Sequence, residues 1–179
     1  MKKGLSYILR MVQETLDEVD NEAIDEIVNS IISARSIFVY GVGRSGLVGN
    51  AFAVRLVQMG LNVHFVGEMT TPFVREMDMV MIVSNTGETT SCVQTANIVR
   101  RVGAKVVAIT SNPHSKLAHA SNLVLELSIP EDEERTMLAP LGTLFEESAL
   151  LFFDSLVPIL MERLGQTEAS LRRRHAIWV

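Results

Sequence analysis

The protein has 179 residues, of which 47% are hydrophobic, so the chain can build one domain with a substantial core. Its net charge is −5 at pH 7, and its only basic run is Arg172, Arg173 and Arg174, which argues against a nucleic-acid-binding surface. The single cysteine, Cys92, leaves no internal disulfide and suits a reducing compartment. The sequence has no apolar run of the length that a membrane span needs, and we expect a cytoplasmic protein.

Short apolar runs alternate with helix-length segments along the chain. Two amphipathic helices are predicted within residues 1–34, and further helices over residues 45–59, 90–102 and 142–164. Five predicted strands begin at Ser36, Asn62, Met79, Lys105 and Leu123. Continuous apolar strands between helices are typical of a parallel sheet that is buried on both faces. We therefore predict one α/β domain: a doubly wound five-stranded parallel sheet over residues 36–130, flanked by helices, with a helix and tail over residues 142–179.

A glycine-rich turn, GVGRSG, follows the first predicted strand at residues 41–46. It matches the dinucleotide-binding pattern, and Glu68 follows the second strand where a ribose-binding acid would stand. The same glycines also suit a tight turn at the edge of a sheet. A nicotinamide enzyme would in addition need a substrate domain, for which we see no segment.

A hydroxyl-rich loop, SNTGETTS at residues 84–91, follows the third predicted strand and leads into a helix. Unpaired N–H groups at such a helix start attract anions, and hydroxyl groups can help to hold a phosphate without a net positive charge. Ser45, on the neighbouring loop, should lie at the same edge of the sheet. Taken one at a time, these hydroxyl residues are also ordinary turn and cap residues. The candidate phosphate-binding residues are Ser45, Ser84, Asn85, Thr86, Gly87, Glu88 and Thr89.

At these residues the chain resembles the SIS (sugar isomerase) domain family, whose loop pattern Ser-x-Ser/Thr-Gly-x-Thr/Ser is matched by SNTGET. Asn85 stands where that family usually has glycine. Within the family the chain is most similar to the 6-phospho-3-hexuloisomerases. That likeness extends through YGVGRSGLVGNAFAVRL, FVGEMTTP, SNTGETTS, APLGTLFEESALLFFD and the tail RRRH.

The resemblance implies an isomerase that interconverts D-arabino-hex-3-ulose 6-phosphate and fructose 6-phosphate without a redox cofactor or metal. It implies a role in the ribulose monophosphate pathway, in formaldehyde assimilation or in the reverse direction. It also implies a homotetramer whose active sites are shared between subunits. Sugar length depends on the shape of the pocket, so an isomerase of a pentose or heptose phosphate remains an alternative. A non-catalytic sugar-phosphate-binding module is another.

Two adjacent carboxylates, Glu146 and Glu147, are candidates for the catalytic base. The residues that follow Glu146 at alternating spacings of four and three are all apolar and form a row on one face of the helix: Leu150, Phe153, Val157, Leu160 and Leu164. The corresponding steps from Glu147 meet a mixed face. We therefore expect Glu146 to be the more buried carboxylate, in an apolar environment that favours proton abstraction at neutral pH. The resemblance places the family's catalytic glutamate at the same position, although a glutamate in a first helical turn can also simply favour the helix dipole.

An enediolate mechanism needs a second group that moves protons between the two substrate oxygens, and an imidazole suits that work. His175 stands where the resembled family has an Arg-His pair that reaches a neighbouring subunit, although a terminal histidine is otherwise an ordinary surface residue. His64 lies within a predicted strand and should be packed. His114 and His119 flank a predicted short helix and have no assigned role. The apolar row after Glu146, together with the amino-terminal helices, predicts subunit contacts.

Overall fold

A computed structural model describes residues 1–176 of the chain. Its elements, in chain order, are α1 (Lys2–Asp17), α2 (Asn21–Ser33), β1 (Ile37–Gly41), α3 (Gly43–Gln58), β2 (Val63–Phe65), β3 (Met79–Val83), α4 (Thr90–Val102), β4 (Lys105–Thr110), α5 (Lys116–His119), β5 (Leu123–Glu126), α6 (Arg135–Leu138), α7 (Thr143–Arg163) and α8 (Glu168–Arg173). Within the described residues, every helix is too short or too polar to cross a bilayer.

The five strands form one parallel sheet in the order β2-β1-β3-β4-β5. The predicted doubly wound α/β fold is therefore confirmed. The prediction that all strands are buried on both faces is wrong for both edge strands: β5 is partly exposed, and the three-residue β2 is only half-buried. Its residue His64 is correspondingly half-buried, with its ring 5.2 Å from that of Phe38.

Alternating side chains of the strands point into two separate hydrophobic cores. Ile37 and Val39 of β1 face the core that contains α2, α3 and α7, whereas Phe38 faces the core that contains α4 and α5. Phe52 of α3 and Phe153 of α7 stack with their ring centroids 4.4 Å apart. Fully burying a side chain of this size contributes about 2 kcal/mol, so the α3–α7 contact fixes the position of α7 firmly.

The segment that precedes α7 is held by α1. This segment contains the short helix α6, and its acidic residues contact α1: Tyr7 donates a 2.8 Å hydrogen bond to Asp132, and Lys3 pairs with Glu134. Burial and the hydrogen bond to Asp132 raise the pKa of Tyr7 to about 12. Tyr7 therefore remains a donor throughout the physiological pH range. The tail also contains a helix, α8, that was not predicted from the sequence.

The turn after β3 depends on a glycine at position 87. Gly87 has φ +64°, and a Cβ atom added to it would lie 2.0 Å from Oγ of Ser115. The Gly87 carbonyl accepts a hydrogen bond of 3.0 Å from the amide of Leu117. Gly87 thus allows this turn to pack directly against the start of α5.

We expect Gly87→Ala to destabilise the protein more than Gly165→Ala. Gly165 has φ +63° with no neighbouring atom within 4 Å of an added Cβ, so both variants introduce the same backbone strain. Gly165→Ala should cost about 1 kcal/mol from the left-handed backbone alone. Gly87→Ala should cost about 2 kcal/mol more, because Ser115 must move. Urea denaturation of the two variants measures the difference, and equal losses would contradict the packing argument.

Candidate functional site

The candidate site lies where the strand order of the sheet reverses: β2 is added on one side of β1, and β3 is added on the other side. β1 pairs with β3, but α3 after β1 and α4 after β3 pack on opposite faces of the sheet. The loops after the two strands therefore diverge and leave a crevice at the carboxyl edge. Ligands of open α/β folds bind in this kind of crevice.

The helices α3 and α4 begin at the crevice without side-chain caps. Their N-cap residues are Val42 and Thr89, and neither side chain accepts a capping hydrogen bond from the described residues. By contrast, Asp20, Ser115 and Thr167 cap α2, α5 and α8 through their side chains. Amide groups at the starts of α3 and α4 can therefore still bind an anion.

The glycines of the GVGRSG turn allow α3 to approach β1 closely. A Cβ atom on Gly46 would lie 2.4 Å from the carbonyl oxygen of Gly41. This packing accounts for the glycine pattern without a dinucleotide. Ser45 is buried in the first turn of α3, beside this contact.

The Asn85 peptide is fixed by β4 and the residue after it. Its carbonyl oxygen accepts hydrogen bonds of 2.9 Å from Thr110 Oγ1 and Ser111 N. Among the described non-glycine residues only Leu141 has a positive φ, so Asn85 carries no left-handed strain. Asparagine therefore fits this position, where the resembled family usually has glycine.

The remaining polar residues of the loop have different environments. Ser84 is buried, and Thr86 is exposed and accepts a hydrogen bond from the Glu88 amide. Glu88 binds Lys116 through its carboxylate, at 2.7 Å from Nζ and 3.0 Å from the backbone amide. The hydrogen bond from the Lys116 side chain lowers the pKa of Glu88. Glu88 thus joins the loop to α5, and a substrate contact from it stays a prediction.

Glu146 lies in the first turn of α7, and its environment is partly as predicted. Its side chain is 10% exposed, against 43% for Glu147, which confirms that Glu146 is the more buried carboxylate. The predicted apolar row is only partly buried, because Leu150, Val157 and Leu164 are half-exposed. The buried face of α7 is centred instead on Phe145, Ala149, Phe152 and Leu156. Glu146 therefore lies at the margin of the buried face.

Arg44 is a residue of the site that the sequence interpretation missed. Its guanidinium forms an ion pair with the Glu146 carboxylate and lies 3.7 Å from Glu147. The hydrogen bond with Glu146 raises the pKa of Arg44. The predicted environment of Glu146 was apolar, and this cation corrects it. The available signal was an arginine within a glycine-rich turn at the carboxyl end of a strand.

Glu146 also adjoins the hydroxyl-rich loop. A Cβ atom on Gly142 would lie 3.1 Å from Oε1 of Glu146 and 3.5 Å from Nδ2 of Asn85. The structure therefore brings together Arg44, Asn85 and Glu146, one from each of three chain segments. A buried carboxylate that contacts the GVGRSG turn through Arg44 and adjoins the hydroxyl-rich loop is suited to removing a proton from a phosphorylated substrate.

His175 lies on a different part of the surface from Glu146. It is exposed and lines a surface cavity of about 590 Å³ together with His64, Glu68 and residues of α3 as far as Gln58. Arg174, the residue before His175, donates a hydrogen bond of 3.2 Å to the carbonyl of Gln58, which is about 21 Å along α3 from Arg44, given the helical rise per residue. His175 and Glu146 are therefore not brought together within one chain. His114 and His119 are both exposed beside α5.

Comparison with known proteins gives a consistent result. The SIS domain family matches residues 30–150. A 3-hexulose-6-phosphate isomerase of Bacillus subtilis strain 168 is 36% identical and aligns over 96% of this chain and 95% of its own. A Methanococcus jannaschii structure, from which the function of a 3-hexulose-6-phosphate isomerase was inferred, has a TM-score of 0.86 at 30% identity, covering 96% of this chain and 98% of its own.

A third similar structure is the NanR protein of Vibrio vulnificus complexed with ManNAc-6P. It has a TM-score of 0.82 at 25% identity and covers 96% of this chain and 66% of its own. The sheet order, the loop after β3 and the match over residues 30–150 agree with one another, and the chain belongs to the SIS domain family.

Proposed function

We propose that this protein is a sugar-phosphate isomerase that interconverts D-arabino-hex-3-ulose 6-phosphate and fructose 6-phosphate. The names of the Bacillus subtilis and Methanococcus jannaschii relatives support the substrate. The observation that carries the proposal is the position of Glu146, a largely buried carboxylate that adjoins the hydroxyl-rich loop.

The 6-phosphate binds in the crevice between the loops after β1 and β3. Uncapped amides at the starts of α3 and α4 donate to its oxygens, and nearby hydroxyl groups supply further hydrogen bonds. The hydroxyl donors are Ser45, Ser84, Thr86 and Thr89, and Gly87 gives the loop its shape. The complex of NanR with ManNAc-6P supports a sugar phosphate as the ligand class.

Glu146 acts as the base of the reaction. It takes the proton from C2 of the 3-ketose; the C–H electron pair forms the C2=C3 double bond, and the carbonyl pair moves to O3. Reprotonation at C3 and transfer of the O2 proton complete the 2-ketose. The ion pair with Arg44 supports this role, because it holds the Glu146 carboxylate in a defined orientation at the crevice.

His175 of a neighbouring subunit moves the proton between O2 and O3, in a homotetramer with shared sites. One reason is that His175 and Glu146 lie apart within the chain. Another is an exposed apolar stripe on α3, formed by Leu47, Ala51 and Val54, which continues at Leu150 of α7. These residues repeat at helical spacing on the side of α3 opposite Phe52, and such a stripe is typical of a subunit interface.

We further infer that the protein works in the cytoplasm, in the ribulose monophosphate pathway. The free and buried thiol of Cys92 suits a reducing compartment. The interconverted hexulose and fructose phosphates would connect formaldehyde assimilation to central sugar metabolism in either direction.

The substrate can be tested directly by NMR. The purified protein, incubated with fructose 6-phosphate alone, should form the 3-ketose and should exchange the proton at C3 with solvent deuterium. Arabinose 5-phosphate and sedoheptulose 7-phosphate serve as competing substrates. Turnover of one of these but not of fructose 6-phosphate would move the assignment to that sugar. Binding without exchange would contradict catalysis and favour a binding module.

We expect Glu146→Gln to lower kcat by about a thousand-fold, because the amide cannot accept the proton. Glu147→Gln is the matched control, since its carboxylate is adjacent in sequence but much more exposed. The control should retain most of the activity. Calorimetric binding of fructose 6-phosphate should remain similar in both variants. Loss of activity in Glu147→Gln with an active Glu146→Gln would reverse the assignment of the base.

Active sites shared between subunits should allow complementation. Glu146→Gln and His175→Ala should each be nearly inactive as separate oligomers. Hybrids made by co-expression contain some sites in which both residues are intact, so activity should return. Two copies of Glu146→Gln that carry different affinity tags, purified in the same way, provide the control. A hybrid that stays inactive while both variants fold and assemble would contradict sites shared between subunits, and a fully active His175→Ala would place His175 outside the site.

A further inference from the structure

The side chain of Asn85 has a fixed orientation. The Ser111 hydroxyl donates a hydrogen bond of 2.8 Å to Oδ1 of the Asn85 amide, and its oxygen also lies 2.9 Å from the Asn85 carbonyl oxygen. Because Ser111 occupies Oδ1, the NH₂ group of the amide is directed away from Ser111. Asn85 is half-buried, so this group is in a partly desolvated environment.

Nδ2 of Asn85 and the Glu146 carboxylate flank the same small space. A Cβ atom on Gly142 would contact both groups, at 3.5 Å from Nδ2 and 3.1 Å from Oε1 of Glu146. Glycine at position 142 leaves this space without a side chain. A neutral hydrogen-bond donor therefore lies within a few ångströms of the proposed base, on the side of the hydroxyl-rich loop.

We propose that the Asn85 amide donates a hydrogen bond to the substrate oxygen that becomes negatively charged in the enediolate, and that Ser111 is the positioning residue that holds this amide in place. This inference rests on the proposed function, in which Glu146 removes the adjacent proton. No proton leaves Asn85: the electron pair of the C–H bond moves into the C=C bond, the carbonyl pair moves to oxygen, and the amide N–H stabilises the charge that results.

The chemistry favours a neutral donor at this place. Fixed donors that are aimed at a developing oxyanion lower the barrier because they need no reorganisation during the reaction. Arg44 is already paired with Glu146, so Asn85 provides a donor that does not compete for the carboxylate. The Asn85 carbonyl is also held by Thr110 and by the Ser111 amide, so its side chain can be altered while the backbone of the loop stays in place.

The first test is Ser111→Ala. Loss of the hydroxyl frees the amide to rotate, and kcat should fall about tenfold to a hundred-fold while KM changes little. Ser111→Thr keeps a hydroxyl group and should restore most of the rate. Ser121→Ala is the matched control, because it also removes one serine hydroxyl that donates to a backbone oxygen, at 2.7 Å from Leu117, but lies at the far end of α5. This control should be as active as the original protein.

The second test is Asn85→Gly, which removes the amide and keeps a residue that suits the loop. Its kcat should fall about a hundred-fold, as for loss of an oxyanion donor. Two inhibitors separate the possible roles: a hydroxamate phosphate that mimics the enediolate, and a hexitol 6-phosphate that has no carbonyl group. Both variants should bind the hydroxamate more weakly than the original protein by a factor similar to their loss in kcat, and should bind the hexitol phosphate equally well.

Parallel weakening of both inhibitors would assign Asn85 to ground-state binding and overturn the inference. An unchanged kcat in Ser111→Ala or in Asn85→Gly would also overturn it. If Ser111→Ala does not fold, Asn85→Gly and the two inhibitors decide alone. Failure of the proposed function would look different, since Glu146→Gln would then be active or the original protein would not isomerise the sugar.

Discussion

The parallel pairing of β1 with β3 is the constraint on which the rest of the site depends. Ile37 pairs with Met79 and Gly41 pairs with Val83, so the two strands end at the same level of the sheet. The GVGRSG turn and the hydroxyl-rich loop consequently begin side by side. Because α3 and α4 then leave toward opposite faces, the space between the loops stays open for a ligand.

The ion pair of Arg44 with Glu146 joins this edge of the sheet to a segment one hundred residues later. It can form because α7 packs on α3, with Phe52 and Phe153 stacked between the two helices. Contacts of Tyr7 and Lys3 with the preceding segment fix the path of the chain into α7. The position of the base therefore depends on core packing and on α1 as well as on its own loop.

Sequence periodicity was sufficient for the fold, because long buried strands and amphipathic helices have strong patterns. The strand β4 and the helix α4 have the predicted bounds, residues 105–110 and 90–102. The burial of β2 was overestimated, because one side of an edge strand is open and its apolar residues are therefore only half-buried. The short helices α6 and α8 were missed, because tertiary contacts and a capping box at Thr167 stabilise them more than any apolar period does.

The candidate site was harder to predict from the sequence, because it is formed by contacts between distant segments of the chain. Helical spacing ranked Glu146 above Glu147 in burial, which the structure confirms, but spacing carries no information about a partner that arrives from another segment. Arg44, Ser111 and Gly142 are ordinary residues until the fold brings them beside Glu146 and Asn85. Ser111 is informative because it contacts Asn85 twice, and a loop that served only to hold a phosphate through its backbone would not need a fixed amide there.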